Sequence, residues 1–225
     1  MIKYFLNFIF PERCIFCRKL GGYICSECDK NFIEVKPQIC YFCEEVSVFG
    51  KICPRCKNFF SFDNLFICYR YKFFLKKLLL NFKYNFRSIL AKKCALLIYK
   101  RIKEINFKNC LICYVPSDKK RFRWRGFCHT QLIARYLSDY LDLECKDILE
   151  KKVNSDFQSR LDRGARMSNI KGKFSVRFNC NIVNKNIILI DDVVSTGSTL
   201  NECAKALRNA GARRVFAVVM GSNKG

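Results

Sequence analysis

Ile187-Ile-Leu-Ile-Asp-Asp-Val-Val-Ser-Thr-Gly-Ser-Thr-Leu200 constrains the fold more than any other stretch of this chain. Its opening run of large apolar residues suits a strand buried on both faces, as in a parallel sheet covered by helices. Such a strand delivers Asp191 and Asp192 to its carboxyl edge. The Ser/Thr/Gly loop that follows leads into a helix, whose free N–H groups and positive dipole end gather around one point, an anion site. Gly197 permits positive φ and close approach, and Ser195, Thr196, Ser198 and Thr199 offer hydroxyl donors to phosphate oxygens. Two carboxylates just before a phosphate cradle suit the vicinal hydroxyls of a sugar.

The rest of the body alternates in the same sense. Residues 65–71, 110–115, 145–149, 186–191 and 214–220 read as strands, and 73–84, 87–105, 127–140, 158–167 and 198–209 as helices. That order implies βαβ units and an α/β fold with a mostly parallel sheet flanked by helices. Ligands of such sheets sit beyond the strands' carboxyl ends. Half of the 225 residues are apolar, which excludes a disordered chain.

Eight of the sixteen cysteines fall in the first 56 residues as four Cys-x-x-Cys pairs: Cys14/Cys17, Cys25/Cys28, Cys40/Cys43 and Cys53/Cys56. Thiolates so spaced on a tight turn both reach one tetrahedral Zn²⁺, and two turns close a Cys₄ site with no open position for a catalytic water. The head is therefore expected to be a structural zinc-binding module. The spacing leaves open which pairs share a metal. Composition changes after Cys56, which puts a boundary near residues 58–63 and gives a cysteine-rich module at 1–60 and an α/β domain at 61–225. Cys110 and Cys113 sit in an apolar run and read, like Cys68, Cys94, Cys145, Cys180 and Cys203, as small hydrophobes.

Forty-two Lys and Arg against nineteen Asp and Glu give a net charge of +23, which attracts polyanions. Single-stranded DNA is one partner this charge suits; lysines on ordinary solvated faces are the alternative. The basic loop at 119–125, with Arg121, Arg123, Arg125 and Trp124, offers phosphate contacts and a stacking face. In a continuous helix over 72–87, Lys72, Lys76, Lys83 and Arg87 would share one face. The apolar run 2–10 is too short to span a bilayer and lacks a signal peptide's cleavage site, so no membrane span and a cytoplasmic location are expected.

The segment at 187–199 resembles the phosphoribosyl pyrophosphate signature of type I phosphoribosyltransferases. The resemblance implies that Asp191 and Asp192 contact the ribose hydroxyls and that Ser195, Thr196, Gly197, Ser198 and Thr199 hold the 5′-phosphate. It also implies Mg²⁺ with the pyrophosphate, and makes Arg121, Arg123 and Arg125 candidates for pyrophosphate contact.

Taken with the cysteine pairs, Val115-Pro-Ser, Arg121-Phe-Arg-Trp-Arg-Gly-Phe127, and Gln158, Arg166 and Asn169 before Phe174, the chain resembles the ComF family. That resemblance implies a cytosolic protein that binds phosphoribosyl pyrophosphate with Mg²⁺, acts in DNA uptake by natural transformation and meets proteins of the uptake machinery. An active salvage phosphoribosyltransferase is the alternative, although no acceptor-binding element is readable. Where the family usually has Arg-Gly-Phe-Asn-Gln, this chain has Arg125-Gly-Phe-Cys-His129. Neighbours at the start of a helix point in different directions, which argues against a Cys128–His129 dyad.

Overall fold

The computed structural model describes residues 11–84, 88–107, 109–152 and 172–224. The run 2–10, Arg87, and the expected helix 158–167 with Gln158, Arg166 and Asn169 lie outside them. In chain order the first elements are α1 (Ser26–Asp29), β1 (Asn64–Arg70), α2 (Phe73–Tyr84), α3 (Leu90–Ile102) and β2 (Cys110–Tyr114). Next come α4 (Lys119–Arg125), α5 (His129–Leu141), β3 (Leu149–Lys151), β4 (Phe174–Val176), β5 (Asn186–Val194), α6 (Ser198–Asn209) and β6 (Arg214–Ser222).

The main sheet has the order β1-β6-β5-β2, and every neighbouring pair is parallel. Strand residues alternate between two apolar layers, as the period of two requires. Ile188, Ile190, Val218 and Met220 pack with α2, α3 and α5, whereas Ile187, Leu189, Ala217 and Val219 pack with Leu200, Cys203 and Leu207 of α6. No helix among the described residues is long and apolar enough to cross a membrane.

The cysteine-rich head closes the sheet at β1, whose outer backbone would otherwise be an open edge. Val35 N–H donates to Cys68 O (3.1 Å) and Arg70 N–H to Ile33 O (2.8 Å). Gln38 brackets Ile67, its amide donating to the carbonyl (2.9 Å) and accepting from the N–H (3.0 Å). On either side of that strap the head joins both layers: Ile15 and Phe32 enter the α2–α3 layer, and Tyr41, Ile52 and Cys56 the α6 layer.

Two expectations need correction. Residues 119–125 form the helix α4 rather than a loop, because nothing in Lys-Lys-Arg-Phe-Arg-Trp-Arg breaks a helix and both ends are capped. Asp118 Oδ1 accepts from Lys120 N–H (3.0 Å), and Gly126 takes the left-handed conformation (φ 75°) that ends the helix. The strand expected at 145–149 starts later, at Leu149, and pairs antiparallel with β4, which sequence reading missed. Residues 144–146 only flank β2, through Ile112 N–H to Glu144 O (2.8 Å) and Lys146 N–H to Ile112 O (2.9 Å).

Candidate functional site

Because β2 and β5 run parallel and in register from Cys110↔Asn186 to Tyr114↔Ile190, their carboxyl ends emerge together. Val115 N–H donates to Ile190 O (3.0 Å), and the chain then leaves through Pro116-Ser-Asp118 into α4 while β5 continues into Asp191 and Asp192. Between these ends lies a cleft of about 380 Å³. Asp191, Asp192 and Thr199 line it from β5 and α6, Arg121 and Arg125 from α4, and Lys83 from α2.

The adjacent acids are not equivalent. Asp192 is buried; its Oδ2 pairs with the Lys83 ammonium and lies 3.1 Å from His129 Nε2, while its Oδ1 accepts from Val193 N–H (2.7 Å). Burial raises its pKa, but the His129 bond and the Lys83 charge outweigh that and hold the carboxyl well below the carboxylate range. Asp191 Oδ1 accepts from the Asp192 N–H (2.8 Å), but burial together with the Asp192 charge pushes its pKa well above that range.

Arg125 is 5% exposed, with its guanidinium 5.0 Å above the Tyr84 ring and Nη1 3.5 Å from His129 Nδ1. Its Nε is buried and has no hydrogen-bond partner among the described residues. A buried cation with a spare donor at the wall of a cleft is arranged to meet an anion. Arg121 and Arg125, four apart on a helix, share the cleft face, whereas Arg123 lies with Lys119 and Phe122 at a separate depression on the other side.

Of the glycine-loop residues, Thr199 lines the cleft, Gly197 takes φ 77° as the helix N-cap, and Ser195 and Thr196 are exposed beside it. Thr196 Oγ1 and Ser198 Oγ lie 2.9 Å apart. Lys83, Lys151, Lys173 and His129 also line the cleft, and sequence reasoning assigned none of them to it. Helical periodicity puts Lys83 on a basic face with Lys72, Lys76 and Arg87, because it says nothing of the Asp192 carboxylate that draws Lys83 inward. Cys128 and His129 do diverge: Cys128 Sγ lies 3.1 Å from both Ser117 Oγ and Thr130 Oγ1, away from Asp192.

The head resolves which cysteine pairs belong together. Cys14, Cys17, Cys25 and Cys28 form one group and Cys40, Cys43, Cys53 and Cys56 the other, with all sulfurs of a group within 4.8 Å of one another. The turns repeat: Arg18 N–H donates to Cys14 O (3.0 Å) and Glu44 N–H to Cys40 O (2.8 Å), with Arg18 and Glu44 both at positive φ. Four thiols this close cannot share ionisation evenly. Against burial, which raises them, backbone N–H groups pull Cys14 and Cys40 down to about 6. Burial pushes Cys28, and the bond with Cys53 pushes Cys56, up to about 12. The donor sets fit a tetrahedral, thiolate-preferring divalent metal, whose charge would let all four ionise. Cys110 and Cys113 are buried in β2 and belong to neither group.

Fold and cleft together define a phosphoribosyltransferase-type domain, and residues 125–224 match the phosphoribosyl transferase domain family. Over nearly its whole length the chain is also similar to competence protein F of Haemophilus influenzae, at 31% identity covering 93% of this chain and 96% of that protein. It is 27% identical to competence protein ComFC of Streptococcus pneumoniae, covering 85% and 84%. It is 26% identical to DNA utilization protein YhgH of Escherichia coli, covering 91% and 94%. The chain belongs to the ComF family.

Proposed function

We propose that this is a cytosolic protein that binds phosphoribosyl pyrophosphate with Mg²⁺ in the cleft and handles single-stranded DNA during uptake by natural transformation. In this reading residues 1–60 form its zinc-binding module, with a Zn²⁺ in each cysteine group. The observation that carries the ligand is the cleft itself, where a sheet-edge carboxylate, a helix N-terminus and the unsatisfied Arg125 converge. Asp191 takes the ribose hydroxyls, with Asp192 anchored behind it by Lys83 and His129. Ser195 to Thr199 hold the 5′-phosphate, and Arg121 and Arg125 face the pyrophosphate. Mg²⁺ supplies neutralising charge on that pyrophosphate when it is bound.

The DNA role is supported by the similarity to competence and DNA utilization proteins and by the net charge of +23. In this reading Arg123, which lies outside the cleft, and the half-exposed Trp124 serve DNA rather than pyrophosphate. Proteins of the uptake machinery are the partners this reading implies.

The intact Asp191–Thr199 segment favours a second reading, a salvage phosphoribosyltransferase in which an acceptor attacks C1′ as pyrophosphate leaves. A thermal-shift screen with phosphoribosyl pyrophosphate/Mg²⁺, nucleobases and single-stranded DNA, paired with a pyrophosphate-release assay, separates the two. Stabilisation by phosphoribosyl pyrophosphate and by DNA, without base-dependent pyrophosphate release, is the expected result. Base-dependent release overturns the first reading in favour of the second.

A further inference from the structure

We propose that Tyr41 is a positioning residue for the glycine loop, so that the second cysteine group sets the shape of the anion site. The inference rests on the reading of residues 195–199 as the phosphate cradle. Tyr41 lies inside the turn Cys40-Tyr-Phe-Cys43, is 3% exposed, and donates its hydroxyl to Ser195 O at 2.6 Å. Its ring also stands 3.4 Å from where a Cβ on Gly197 would lie, and Phe60 closes the same position from 3.4 Å. The loop is thus held at both ends of Ser195-Thr-Gly197, by a bond at one and by two ring edges at the other.

The next turn is tied to the head as well. Asn201 Nδ2 donates to Phe59 O (3.4 Å) and its Oδ1 accepts from Ser61 N–H (2.7 Å) just past the boundary, and Lys224, on the chain after β6, donates to Tyr41 O (3.4 Å) and pairs with Glu44 (2.8 Å). In a trans peptide the carbonyl and the following N–H point to opposite sides. By engaging the Ser195 carbonyl from the head, Tyr41 turns the Thr196 N–H to the opposite side of the loop. The first cysteine group has a different neighbourhood: Phe16 and Phe32 beside it pack on Phe74, with ring centroids at 4.7 and 6.1 Å.

Hydrogen exchange of the loop amides in the full chain tests this, comparing wild type, Tyr41→Phe and Tyr69→Phe. Tyr69 is the control because its buried hydroxyl makes an equivalent bond, to Leu97 O at 3.0 Å, remote from the loop. Tyr41→Phe is expected to speed exchange at residues 196–199 by about 3- to 10-fold, the range one lost hydrogen bond spans, with zinc content unchanged. Tyr69→Phe is expected to leave those amides as in wild type. Equal loop exchange in wild type and Tyr41→Phe, or an equal rise in both variants, overturns the proposal. Calorimetry with ribose 5-phosphate forms the second arm, and Tyr41→Phe is expected to weaken binding by about 3- to 10-fold. Failure of wild type to bind ribose 5-phosphate sinks the phosphate reading itself, and does so independently of the exchange comparison.

Discussion

Two carboxylates adjacent in sequence have opposite energetics here. Asp192 is depressed, so its stabilisation is present above the ordinary carboxylate value of 3.8 and lost as pH falls through the lower folded value. Asp191 is raised, so the cost of ionising it is absent below 3.8 and grows until pH passes the higher folded value. Asp191→Asn should therefore raise the unfolding temperature at neutral pH while abolishing phosphoribosyl pyrophosphate binding. Asp192→Asn should lower stability by about 1–3 kcal/mol, because it leaves the Lys83 ammonium with a neutral partner. The Asp191→Asn difference from wild type should close below about pH 3.8, whereas the Asp192→Asn difference should only begin to shrink there and persist to lower pH, and urea unfolding across pH 3–8 separates the two. The sequence made the acidic pair legible as a site but not its asymmetry, since the partners Lys83 and His129 come from two other helices.

At the scale of elements, the alternating strands and helices were readable because buried parallel strands are apolar runs and the helices carry apolar faces. The helix over 119–125 was not, since seven residues with five cations and two aromatics show no apolar stripe, and its caps lie at the flanking Asp118 and Gly126. Strand β4 is too short to have a period. Recognising α4 as a helix divides its arginines by face. Arg121→Ala with Arg125→Ala should weaken phosphoribosyl pyrophosphate by about 10-fold or more, the scale of a lost charge-assisted bond, whereas Arg123→Ala should leave that affinity unchanged. Calorimetry on the two variants decides; equal loss in both contradicts the face assignment.

On the scale of the molecule, the head packs closely on the sheet: it covers the edge of β1, enters both apolar layers and touches the glycine loop. Four cysteine pairs point to metal binding, but spacing alone leaves their partition open; the sulfurs, within 4.8 Å of one another in each group, assign it. Metal analysis of protein purified without added zinc should find two Zn²⁺ per chain, one for each group; less than one per chain with all thiols free would refute it. The net charge of +23 predicts that single-stranded DNA affinity falls steeply with salt, by a log–log slope of roughly −0.7 per phosphate neutralised. Charge reversal at Arg123 should flatten that slope, and Trp124→Ala should weaken binding equally at every salt concentration; binding that stays flat with salt removes the DNA-handling role. The most direct test of the account is calorimetric titration of the full chain with phosphoribosyl pyrophosphate and Mg²⁺, for wild type and for Asp191→Asn combined with Asp192→Asn. Saturable binding by wild type that is abolished in the double variant is the predicted result; no binding by wild type, or undiminished affinity in the double variant, contradicts it.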